Sequence, residues 1–116
     1  MVPRSDSVPT GSPQATRIPE WFRWIHPDLR LYQNALIVVA RIRGFSINNA
    51  KPQAGERFSV WESRRAYTYL ETLAKGDEKL WREIWDEVHH IEEEIGNIVR
   101  QLAREGFARG GKGGAS

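Results

Sequence analysis

The stretch EKLWREIWDEVHHIEEEIGNIVRQLARE, residues 78–105, decides the fold class. Trp81, Ile84, Val88, Ile91, Ile95, Ile98 and Leu102 follow one another in steps of three and four without a break. That spacing sets one apolar stripe on an α-helix and has no reading as a strand. Leu80, Trp85 and Val99 widen the stripe, which favours the face of a bundle over a bare two-stranded coil. Asp77 stands where a helix N-cap is expected. The other face carries Glu83, Asp86, Glu87, Glu92, Glu93 and Glu94.

Moving toward the N-terminus, Gly76 and Gly44 punctuate two further helices. Ser59 and Glu62 have the spacing of a capping box, so a helix is predicted from Ser59 to about Lys75. Its inward candidates are Trp61, Ala66, Tyr69, Leu70 and Leu73. Pro27 is expected to open another helix, about 28–43, closed by Gly44 in a left-handed cap. Ala35-Leu36-Ile37-Val38-Val39-Ala40 is apolar on nearly every side, which calls for enclosure on several sides. Arg30, Asn34 and Arg41 form its narrow polar stripe, which reads most simply as a wet edge. Residues 44–58 are a long loop, and loops of that length in a small domain are usually functional or docked.

Pro19 introduces Glu20-Trp21-Phe22-Arg23-Trp24-Ile25, read as one or two helical turns ended by Pro27. So many aromatics in so short a run are expected to dock on protein or on nucleic-acid bases. Four of the six prolines lie in residues 1–19, with Arg4 and Arg17, so this segment reads as an extended N-terminal arm. Gly106 opens a glycine-rich basic stretch, 106–116, read as a flexible tail. The expected architecture is therefore all-α: a small helical bundle over 20–105, an arm over 1–19, a long C-terminal helix and a tail.

The chain has 116 residues, enough for one domain, and a net charge of +2. That charge is divided: residues 1–60 carry +4, residues 61–105 carry −4 and residues 106–116 carry +2. Thirteen arginines stand against four lysines, and the guanidinium fork suits phosphate and carboxylate. The absence of cysteine excludes a disulfide scaffold, a thiolate metal site and a cysteine nucleophile. The longest apolar run, Ala35 to Ala40, is far short of a membrane span, and no apolar h-region marks a secretory signal.

Catalytic signatures are missing. There is no P-loop, dinucleotide-binding glycine motif or nucleophile elbow, and no enzyme activity or small-molecule substrate is expected. Glu87-Val88-His89-His90 is the best metal candidate, since Glu-x-x-His places two ligands on one helix face. A dinuclear site would need a second copy and further inward glutamates. The simpler reading pairs His89 and His90 with Glu93 and Glu94 one turn on, so no metal and no cofactor are expected.

Together, the proline- and arginine-bearing arm, the enclosed central helix, the missing cysteines and the arginine bias resemble the major capsid proteins of filamentous and rod-shaped viruses of hyperthermophilic archaea. The resemblance is one of architecture. It implies a virion location and a helical nucleoprotein filament in which paired subunits, copies of this chain or a paralogous capsid subunit, wrap double-stranded DNA without reading its sequence. Carried over, it implicates Arg17, Arg23, Arg30, Arg41, Arg43, Arg57, Arg64 and Arg65 in phosphate contact. The acidic 78–105 helix departs from a uniformly basic packaging protein. Two alternatives stay open: a cytoplasmic helical coiled-coil interaction module or small subunit of a ribonucleoprotein, and a membrane-surface protein anchored by Trp21-Phe22-Arg23-Trp24.

Overall fold

The computed structural model describes the backbone of residues 17–114 and the side chains of residues 17–106. Most of the N-terminal arm, residues 1–16, lies outside the described residues. A short 3-10 helix, Glu20–Trp24, precedes three α-helices: α1, Leu31–Ile42; α2, Phe58–Leu73; and α3, Glu78–Gly114. Among the described residues there is no strand, so the chain is all-α, a small bundle with a long C-terminal helix.

α1 is the middle element and touches α2, α3 and the 3-10 helix. Its residues Asn34 to Ala40 are all buried, as an all-round apolar helix requires. From α3 the seam residues Ile84, Val88, Ile91 and Ile95 meet it, and α2 adds Ala66 and Leu70. Full burial of an aliphatic side chain stabilises by roughly 1.5–3 kcal/mol, so this seam dominates the fold. Trp81 and Leu102, at the seam's two ends, are only half-buried. Trp21, Phe22, Trp24 and Ile25 pack against the same core. The aromatic run is therefore docked, half-buried, on protein. No helix among the described residues is long and apolar enough to cross a membrane.

The helix ends differ from expectation in instructive ways. α1 starts at Leu31, not at 28, because the chain first turns: the Leu29 N–H donates to His26 O at 3.1 Å. Asn34 Nδ2 then takes up the carbonyls of His26, Leu29 and Arg30, at 3.0, 3.4 and 3.3 Å. α2 starts at Phe58, and Ser59 and Glu62 form no capping box. Ser59 Oγ donates to Asp28 instead, and Glu62 is buried. Leu73, predicted inward, is 41% exposed at the end of α2, where the chain leaves the core. Asp77 does cap α3, its Oδ1 accepting the Leu80 N–H at 3.0 Å.

α3 also runs on past 105 to Gly114, where an open tail was expected. Glycine weakens a helix by about 1 kcal/mol relative to alanine but clashes with nothing, and no proline stops the run. With nucleation already met by the preceding turns, the helix propagates. At 37 residues it is about 55 Å long.

Gly44 closes α1 with φ +110°, and the site demands glycine twice over. A Cβ there would stand 2.8 Å from Tyr69 Oη, which donates to the Arg43 carbonyl at 2.8 Å. The following loop is docked through buried Phe45 and half-buried Ile47.

Candidate nucleic-acid interface

Two of the eight candidate arginines face inward. Arg41, one quarter exposed, directs Nε and Nη2 to Glu62 Oε2 at 3.0 and 2.7 Å. The other carboxylate oxygen of Glu62, Oε1, meets His26 Nε2 at 2.7 Å. Glu62 is only 2% exposed, so its carboxylate is held by these two groups, with Arg41 as its counter-charge. A carboxylate only accepts, so Nε2 of His26 carries the proton here. Arg43 turns to the other side of α1 and donates from Nε to Glu87 Oε1 at 2.9 Å.

Asn34 completes the arrangement. Its Oδ1 accepts the His26 N–H at 2.8 Å, and its Nδ2 holds the carbonyls named above. Asn34 and Arg41 lie seven residues apart, two turns along one face of α1. The polar stripe read as a wet edge is thus a buried clasp. Asn34, 2% exposed, fixes the backbone of the turn at His26, and Arg41 fixes the carboxylate that its ring touches. Both serines of this cluster are engaged: Ser59 Oγ donates to Asp28, and Ser63 Oγ donates to the Val60 carbonyl at 2.9 Å.

The remaining candidates are more exposed. Arg57 meets Asp28 at 3.1 Å and Arg64 meets Glu56 at 2.6 Å, the two guanidinium side chains being 66% and 57% exposed. Exposed pairs of this kind contribute about 0–1 kcal/mol. Ser59's hydroxyl, ahead of the nearby Arg57 guanidinium, holds the Asp28 carboxyl below its ordinary pKa, against some desolvation. Arg23 lies 5.9 Å from the Trp24 ring, which Arg41 also approaches at 5.5 Å. Arg65 lies 5.8 Å from the Trp61 ring. Arg17 is exposed beside Ile98 and Gln101 of α3, and Arg30 is exposed at the start of α1.

The structure therefore brings Arg23, Arg41, Arg57 and Arg65 around one cluster, Trp24, His26, Phe58 and Trp61. His26 meets the Phe58 ring edge-on at 6.0 Å, and Phe58 meets Trp61 at 5.5 Å. It leaves Arg17, Arg30, Arg43 and Arg64 elsewhere. Asn34 and Glu62 stand out in the sequence only as a wet edge and half of a capping box, and His26 and Phe58 do not stand out as site residues. Their partners come from different elements, and the one available signal, a lone histidine in a proline-flanked turn, points to no partner.

On α3, Glu87 is engaged by Arg43, His89 meets Glu92 at 3.5 Å and His90 meets Glu94 at 3.4 Å. The pairing of His89 is thus with Glu92, three residues on, and not with Glu93. Among the described residues, no three His, Asp or Glu side chains converge as a metal site would require. Set against known proteins, the chain matches no family model, no curated protein and no solved structure.

Proposed function

We propose that the protein is a structural subunit that packages nucleic acid through phosphate contacts, without reading sequence and without catalysis. The observation that carries this is the division among the arginines. Arg41 is committed to the buried carboxylate of Glu62 and Arg43 to the part-exposed Glu87, whereas Arg23 and Arg65 are exposed with no carboxylate partner among the described residues. Each of these two lies over a tryptophan ring, which orders the guanidinium while its N–H groups remain free for an anion. Arg57 and Arg64 are themselves mostly exposed, and each holds a single carboxylate whose place a phosphate can take. Arg17 and Arg30 extend the set. The resemblance in architecture makes the assembly a capsid filament of paired subunits on double-stranded DNA in a virion. The phosphate contacts themselves serve duplex or single strand alike.

Titration of random-sequence nucleic acid at several salt concentrations tests this. On duplex, the log–log slope falls by about 0.9 per phosphate contact. Replacing Arg23 and Arg65 together by alanine should flatten it by about two contacts. Preference among sequences should not change. A protein in its assembled form with no salt-dependent affinity for duplex or single strand would refute the proposal and leave the helical interaction module.

A further inference from the structure

We infer that two copies of this chain pair through antiparallel α3 helices that meet at Gly96, with Glu92 of each copy facing Arg100 of the other. The role of the pair rests on the preceding reading, which calls for paired subunits. Its geometry rests on α1 and α3 alone, so either can fail without the other.

Charge divides α3 along its length. Residues 78–94 hold seven acids and two bases, a net −5, and residues 95–114 hold four bases and one acid, a net +3. A parallel pair sets like halves against each other. An antiparallel pair sets the acidic half of one copy against the basic half of the other. Within the chain the start of the basic half is unmatched: Arg100 donates to the Asn97 side chain and has no carboxylate partner among the described residues.

The flank of α3 beside α1 supplies the apolar part of the contact. Leu31, His89, Glu92, Gly96 and Arg100 are among the residues lining one open groove there. Leu31 is 41% exposed and Val99, two turns beyond Glu92 on the same face, is 46% exposed. Tyr32, 37% exposed, adjoins them, stacked on Trp85. The Arg100 guanidinium is drawn across the bare backbone at Gly96, with Nη1 3.5 Å from where a Cβ would stand and Leu31 Cδ1 at 3.6 Å. It is thus held in the middle of the groove.

Glu92 and Arg100 stand four residues, about 6 Å, to either side of Gly96. A two-fold axis at Gly96 therefore puts each Glu92 opposite the other copy's Arg100, twice in the pair, and brings Leu31, Tyr32 and Val99 of both copies together. The patch is complementary to itself, as an isologous dimer requires.

The experiment is sedimentation equilibrium of the full-length protein, free of nucleic acid, over a range of protein and salt concentrations. A monomer–dimer equilibrium that weakens with salt is expected. Arg100→Glu and Glu92→Arg each turn both ion pairs into like-charge contacts and should each raise the dimer Kd about tenfold or more. The two single variants mixed in equal amounts should pair again, because one brings only arginine and the other only glutamate to positions 92 and 100. The double variant Glu92→Arg with Arg100→Glu should pair with itself as wild type does. A variant that had merely lost its fold would do neither. A monomer at every concentration overturns the inference. So does an assembly that both reversals leave intact, or one that mixing does not restore. In those cases salt-dependent nucleic-acid binding would still stand. Loss of that binding with pairing intact overturns the packaging proposal and leaves the pair.

Discussion

The two sides of α1 are held by opposite means. Toward α3 the contact is aliphatic, with Ile84, Val88, Ile91 and Ile95 buried against Ala35 to Ala40. Toward α2 and the His26 turn, apolar burial of Ala66 and Leu70 is joined by an ionic and hydrogen-bonded network through Asn34, Arg41, Glu62 and His26. An aliphatic seam tolerates small shifts, because burial is non-directional. A buried carboxylate with three short bonds fixes the distance and the register of every group that touches it. The first side supplies most of the stability; the second places Trp24, Phe58 and Trp61 relative to one another. A binding face built on the second side inherits its precision from a network that contributes little net energy of its own.

The largest expected effects test that contrast directly. Glu62→Ala leaves Arg41 enclosed without its counter-charge and should cost about 3–5 kcal/mol, read from urea unfolding. Such a loss is a large share of the roughly 5–15 kcal/mol that holds an ordinary domain together. The double change Glu62→Leu with Arg41→Met removes both charges and should cost much less than the single one. On the aliphatic side, Ile95→Ala should cost about 2–5 kcal/mol, with no second substitution able to relieve it. A Glu62→Ala cost under about 1 kcal/mol, or a double variant as unstable as the single, would erase the distinction between the two sides.

The same contrast explains what could be read in the sequence. The seam from Ile84 to Ile98 was legible because it is local: a period of three and four residues states both the helix and its buried face. The enclosure of α1 was legible in the same way, from six consecutive apolar residues. The polar side was not, since Glu62 meets a histidine 36 residues away and an arginine 21 residues away. Its spacing from Ser59 supplied a local explanation, the capping box, and that explanation was wrong because Asp28 and Arg41 compete successfully for both side chains. Charge counting is equally blind to partners: it weighs Arg41 and Arg43, which hold Glu62 and Glu87, equally with Arg23 and Arg65. Net charge does not tell a guanidinium spent on an internal carboxylate from one left over.

The smallest expected effects lie at the rims of the two sides, and they fall at opposite ends of the pH scale. On the polar side the Asp28 carboxyl is held below its ordinary value of 3.8, first by the Ser59 hydroxyl. A depressed carboxylate pKa stabilises the fold fully above the ordinary value, and the contribution is lost as pH falls through the folded value. The stability difference between wild type and Ser59→Ala should therefore be larger at about pH 6 than at about pH 2.5. On the aliphatic side Tyr32 stacks on Trp85 at 5.8 Å, and its hydroxyl pKa is raised, chiefly by desolvation and further by Tyr67 and Glu92. A raised pKa reverses the sign: its contribution is complete below the ordinary value of 10.0 and disappears as pH rises through the folded value. Tyr32→Phe should match wild type near neutrality and lose less stability in strong alkali. Thermal unfolding of both variants across the range checks the pair. A Ser59→Ala deficit independent of pH, or equal alkaline losses with and without the Tyr32 hydroxyl, would show that neither rim group is linked to folding through its proton.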